Sequence, residues 1–239
     1  MVDTLQRYAP NENLRRDEAA WRARNIEWHF AEVQLDLANA ADRNATSFTS
    51  ITTLNFSSRE PAAFIDFIHE SVAEVLVNGT AIDLDTAVLD ARIYLDNLRT
   101  DAPNTVKITG QAIYSRSGEG LHRFVDPQDG ETYLYTQFEP SEARRVFACF
   151  EQPDLKTSYR FTLTGPADWH LASNQPIVDE VVNEDGTKTV ACSPTPKISS
   201  YITAVLAGPY HVVRGEHVQK LADGEELAIQ MAATCRASL

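Results

Sequence analysis

The chain has 239 residues, 43% hydrophobic and 23% charged, which supplies a sizeable core and excludes a disordered polymer. Asp and Glu number 34 against 21 Lys and Arg, a net charge of −13, so no nucleic-acid partner is expected, and no basic cluster offsets that balance. No apolar run nears the roughly 20 residues of a membrane helix, and the N-terminus holds no signal-peptide core. A cytoplasmic chain with no membrane partner is therefore expected.

Residues 1–25 read as a short helical lead-in: "ENLRRDEAAWRARN" is rich in helix formers and spaces Leu14 and Trp21 to share one face. The period then switches to two. In "NIEWHFAEVQLDL", Ile26, Trp28 and Phe30 alternate, then Val33, Leu35 and Leu37 in the opposite phase, which predicts a β-bulge near Ala31–Glu32. Strand-like stretches recur to the C-terminus, among them "TTLNF", "VAEVLVNG", "TVKITGQAIYS", "TYLYTQFE", "SYRFTLTGP", "WHLAS", "SSYITAVLAGPYHVV" and "EELAIQMAA". Turn signals such as Asn78-Gly79, "SRSGEG" and "EDGT" separate them. Only "EPAAFIDFIHESV" and "SEARRVFACF" look helical beyond the lead-in. The expected fold is mostly β: one large antiparallel β-sandwich or saddle-like domain over 1–239, with a short N-terminal helix. The last strand-like stretch stops at Leu239 with no closing turn, as though the chain continued.

Cys149, Cys192 and Cys235 are widely spaced and odd in number, so buried free thiols are expected rather than a zinc knuckle or redox pair.

The most unusual stretch is "YTQFEPSEARRVFACFEQPD", residues 135–154. Its strand places Tyr133, Tyr135, Gln137 and Glu139 on one face and Leu134, Thr136 and Phe138 on the other. Pro140 ends the ladder, and Ser141 is positioned to cap a short helix. An amide and a carboxylate projecting together could hold an ammonium group. On local pattern alone, two polar residues on a solvated face is the better reading.

Over about forty residues, "YTQFEPSEARRVFACFEQPDLKTSYRFTLTGPADWHLASNQP" resembles the N-terminal domain of the aminopeptidase N family of gluzincin zinc metallopeptidases. The matches are Thr136, Gln137, Glu139, Ala143, Arg144, Arg145, Phe147, Cys149, Pro153, Lys156, Ser173 and Asn174. The flanking "LHRFVDPQDGETYLY" and "YITAVLAGPY" fit as well, and the N-terminal region is similar to the bacterial branch. The resemblance implies a β domain preceding a thermolysin-like catalytic domain, which this chain lacks. It implies Gln137 as a wall of the pocket for the substrate's first side chain and Glu139 as an anchor for the free α-amino group. The rest of the turn, Arg144 through Lys156, is then structural. Ala148 replaces a family proline and Glu151-Gln152 an acidic pair, which questions the turn's ion pairing and not Glu139. The leukotriene hydrolase branch resembles T-Q-C-Q and is disfavoured by Glu139.

The family's H-E-x-x-H helix and G-x-M-E-N loop are absent. Of the six histidines, only His69 precedes a glutamate, in "HESVA", where Ala73 stands in place of the second ligand. His211 and His217 lie six apart across an expected turn and read as surface residues. No catalytic residue and no metal ligand is therefore expected in this chain; zinc belongs to the full-length enzyme. Its partners are expected to be peptides with a free N-terminus and its own downstream catalytic domain. A charge-assisted hydrogen bond contributes about 1.5–3 kcal/mol and millimolar binding needs about 4.1, so the fragment alone should hold no peptide detectably. The alternative is a stand-alone, non-catalytic β-sandwich interaction module.

Overall fold

The computed structural model describes residues 13–236 and 238–239; the first half of the expected lead-in lies outside them. Helix α1 (Arg16–Asn25) is followed by strands β1 (Ile26–Asp36), β2 (Ser47–Ser58), β3 (Ala63–Asp66), β4 (Ser71–Val77) and β5 (Thr80–Ala81). A single-turn helix α2 (Leu84–Ala87) leads to β6 (Val88–Leu89), β7 (Arg92–Leu95), β8 (Asn104–Ile113), β9 (Gly120–Val125) and β10 (Thr132–Gln137). The chain continues through β11 (Ser158–Pro166), β12 (His170–Ser173), β13 (Ile177–Val182), β14 (Thr187–Cys192), β15 (Val205–Gly208), β16 (His211–Lys220) and β17 (Glu226–Cys235).

The largest sheet has eight strands in the order β13-β14-β11-β1-β2-β8-β4-β5. All its neighbours are antiparallel except β1 and β11, which run parallel from Phe30↔Ser158 to Asp36↔Thr164. A four-stranded sheet, β12-β15-β10-β9, and a three-stranded one, β3-β7-β6, pack with it. Val33, Leu54, Ile108 and Phe161 of the large sheet join Leu121, Leu134 and Leu171 of the second and Ile65 and Ile93 of the third in one hydrophobic cluster. This is the expected mostly antiparallel β architecture with one short N-terminal helix.

Local chemistry explains the elements. In β2, buried and half-buried residues alternate without a break, as a strand with one face on a core requires. The β1 bulge exists but sits between Trp28 and Phe30, slightly before the expected slip. Asn78 (φ 52°) and Gly79 (φ 84°) form the tight turn joining β4 to β5, with the positive φ pair that this dipeptide favours. Helix α1 opens with the Glu18 carboxylate accepting the Arg15 N–H at 2.9 Å. Leu14 precedes the helix, so its buried face is Glu18, Trp21 and Arg22 rather than a Leu14–Trp21 stripe.

Two helical expectations fail. "EPAAFIDFIHESV" contains β3 and the start of β4, and all four β3 residues are buried. A strand buried on both faces gives a continuous apolar run that periodicity cannot separate from a helix. "SEARRVFACF" forms only a 3₁₀ turn at Ala143–Arg145.

Strands β16 and β17 form a separate two-stranded sheet in which nearly every residue is exposed. Leu227, Ile229 and Met231 lie on one face, and the Glu226↔Lys220 and Gln230↔Glu216 pairs on the other. His211 and His217 both belong to β16, so no turn separates them.

Candidate functional site

Strand β10 is an inner strand of the four-stranded sheet, flanked by β15 and β9. Leu134 and Phe138 are buried, whereas Tyr135, Gln137 and Glu139 are exposed. Gln137 is thus the last exposed residue of β10, and Glu139, also exposed, follows two residues on in the turn that ends the strand. The Thr136 hydroxyl donates to the Val205 carbonyl at 3.3 Å and accepts the Val205 N–H at 2.8 Å, fixing β10 against β15. Pairing with β9 ends at Gln137↔Gly120. Phe138 then turns into the core and meets Phe147 edge-on at 6.0 Å.

Beyond that point the backbone is held by side chains. The Gln137 Oε1 atom accepts the Glu139 N–H at 2.6 Å, and the Glu139–Pro140 peptide is cis. The Glu139 carboxylate makes no ion pair or side-chain hydrogen bond among the described residues. Ser141 does not cap the turn with its hydroxyl; its carbonyl accepts from Arg144 Nε at 3.0 Å.

Behind the strand end lies a buried polar network. The Glu151 carboxylate accepts the Arg144 N–H at 2.8 Å, the Ser200 hydroxyl, and the Cys149 thiol at 3.7 Å. Burial raises the Glu151 pKa, an effect that nearby Asp66 reinforces and the Ser200 and Arg144 hydrogen bonds oppose. The Glu151 N–H donates to Asp66 Oδ2 at 3.1 Å, and Arg22 Nη1 lies 2.8 Å from the same oxygen. Asp66 and Cys149 also exchange two backbone hydrogen bonds, at 2.9 and 3.0 Å. Burial, and then the charge of Glu151, push the Cys149 thiol well above its ordinary value, so it is an inert structural group.

The turn is therefore structural, as the resemblance implies, and its departures are accommodated. Glu151 is fully engaged, and Gln152 Nε2 donates to the Ala19 carbonyl of α1 at 3.1 Å, which a carboxylate could not do. Asp66, Ser200, Arg22 and Arg92 support the site from distant segments. Only Asp66 carried a sequence signal, as an acid set inside the apolar "FIDF".

The ring of His122 lies 5.0 Å from that of Tyr135, its partner across β9 and β10. Both line a recess of about 470 Å³ with Phe124, Tyr133, Tyr210 and Arg236, on the face that bears Gln137. His69 packs at 5.4 Å against Phe67. Among the described residues no three His, Cys, Asp or Glu side chains converge as metal ligands.

The Peptidase M1 N-terminal domain family model matches residues 43–202. Aminopeptidase N of Streptomyces lividans is 40% identical over 232 residues, covering 96% of this chain and 26% of that protein. Aminopeptidase N of Acetobacter pasteurianus is 30% identical over 161 residues, 65% of this chain and 44% of that protein. The crystal structure of Legionella pneumophila aminopeptidase A in complex with aspartic acid superposes with a TM-score of 0.72 over 87% of this chain and 24% of that one. At 18% identity, that likeness shows the fold alone. The chain spans about a quarter of the length of its Streptomyces relative, at 26%. By the family model and by that near-complete alignment, the chain belongs to the Peptidase M1 N-terminal domain family.

Proposed function

We propose that this chain is the N-terminal, substrate-anchoring part of a zinc aminopeptidase that removes N-terminal residues from peptides. The observation that carries the reading is the exposed Glu139 carboxylate, unpaired among the described residues and set beside Gln137 at the end of β10. Its backbone is held by the Gln137 side chain. An exopeptidase needs such a fixed anion, because gripping the free ammonium places the scissile bond one residue away. Gln137 stands next to it as a wall for the first side chain.

Zinc and the hydrolytic water belong to a downstream catalytic domain, and no step of bond cleavage is assigned to residues of this chain. The apolar face of the β16–β17 hairpin, with Leu227, Ile229 and Met231, is the surface we assign to that domain. Support comes from the relatives named aminopeptidase N, of which this chain covers only part.

The test is to express the longer polypeptide and follow release of the first residue from unblocked peptides. Hydrolysis that chelation abolishes and zinc restores is expected, with no turnover by residues 1–239 alone. A longer polypeptide that cleaves no peptide, or turnover by 1–239 alone, overturns the reading.

A further inference from the structure

Around the free edge of β9 the surface turns positive, in a chain whose acids outnumber its bases 34 to 21. Arg43, Arg116, His122, Arg123 and Asp126 line a recess of about 650 Å³, within the size range of small-molecule sites. The negative charge in this lining is already engaged. Asp126 pairs with Arg236 at 2.9 Å and accepts the Ser238 hydroxyl at 2.7 Å and the Gln128 N–H at 2.9 Å. Glu119, next to the recess, pairs with Arg145 at 3.8 Å.

The positive charges are not engaged in the same way. Arg43 and Arg116 are exposed and make no hydrogen bond or ion pair among the described residues. Arg123 is buried, and its guanidinium donates to two neutral backbone carbonyls, Ala40 at 2.9 Å and Asp42 at 2.7 Å. Those two hydrogen bonds fix the cation in place through neutral acceptors. Burial is the main effect lowering the Arg123 pKa; the like charge of Arg116 adds to it, while Tyr114 and Asp42 act the other way. The Gly118 N–H donates to His122 Nδ1 at 3.1 Å, which leaves Nε2 as the protonated nitrogen of the neutral ring and adds one more donor.

We propose that this recess binds a small dianion, a phosphate or a dicarboxylate, held by Arg43 and Arg116 with Arg123 as the fixed charge behind them. A bound dianion relieves the Arg116–Arg123 repulsion and matches the paired donors of guanidinium groups. A net charge of −13 repels an acidic macromolecule, whereas a small anion can enter the concave site. The site is separate from the Glu139 anchor, and its test is independent of peptidase activity.

Inorganic phosphate and succinate are titrated separately into the 239-residue protein at constant ionic strength, with the arginine side-chain N–H signals followed by NMR. Saturable shifts at Arg43 and Arg116 with at least one anion are expected, and which anion saturates identifies the class. Arg43→Gln and Arg116→Gln should each weaken binding roughly tenfold or more, while Arg214→Gln on the exposed hairpin leaves it unchanged. Both lining residues are exposed, so these variants keep the fold. Linear, non-saturating shifts with both anions overturn the proposal, as does unchanged affinity in the two lining variants.

Discussion

The side-chain oxygen of Gln137 accepts the backbone N–H of Glu139 at 2.6 Å, closing a small ring where β10 stops pairing. One lone pair of that oxygen is thus spent on holding the Glu139 backbone. In the proposed full-length aminopeptidase, Gln137→Ala should lower kcat/KM by about tenfold through loss of this positioning and of the proposed pocket wall. Steady-state kinetics with an unblocked peptide checks this.

Residues 74 apart in sequence meet where Arg92 donates to both Glu18 oxygens, at 2.8 and 2.9 Å. The pair is almost fully buried and clamps α1 to the three-stranded sheet. Arg92→Ala leaves the buried Glu18 carboxylate with only its Arg15 contacts, the backbone N–H at 2.9 Å and the guanidinium at 3.6 Å, and should destabilise the domain by about 3 kcal/mol. Urea denaturation measures this, and the first proteolytic cut should move into α1.

Glu18 and Glu151 have opposite pH signatures. Burial acts to raise the Glu18 pKa, but the hydrogen bonds from Arg92 and Arg15 outweigh it and hold the carboxyl below its ordinary 4.5. Its contribution to stability is complete above that unfolded value and is lost as pH falls through the lower folded one. Glu151 is raised above 4.5, chiefly by burial. The folded chain keeps that proton to higher pH than the unfolded chain does, so stability declines as pH rises from 4.5 through the folded value. Glu151→Gln removes only the second effect. Its stability relative to the parent should therefore improve between pH 4.5 and neutrality, as urea midpoints across that range will show.

Thiol reactivity follows burial. Cys149 and Cys192 are buried, and burial raises both thiols above the ordinary range, whereas Cys235 is exposed on β17. Ellman's reagent should modify Cys235 rapidly in the native protein and the other two only on unfolding.

Much of this was legible in the sequence, because alternation reports a half-buried sheet directly. The strands β1, β2, β8, β10 and β11 follow it, as does the exposed pair Gln137 and Glu139. The failures occur where burial or distant contacts override local pattern. Strand β3 is buried on both faces and resembles a helix. The segment after Glu142 is shaped by Glu151, Asp66 and Ser200, and Ser200 lies 49 residues from the carboxylate it serves. The expectation of three buried thiols fails at Cys235, which lies on the exposed hairpin.

The most direct test of the anchor is Glu139→Gln in the complete enzyme, with Arg214→Gln as the surface control, assayed on a peptide with a free N-terminus. Glu139 is exposed and unpaired among the described residues, so stability should change by no more than about 0.5 kcal/mol. Loss of its charge-assisted contact, about 1.5–3 kcal/mol, should lower kcat/KM by roughly 10- to 150-fold. Equal kcat/KM in the Glu139→Gln and Arg214→Gln enzymes would contradict the assignment of Glu139 as the ammonium anchor.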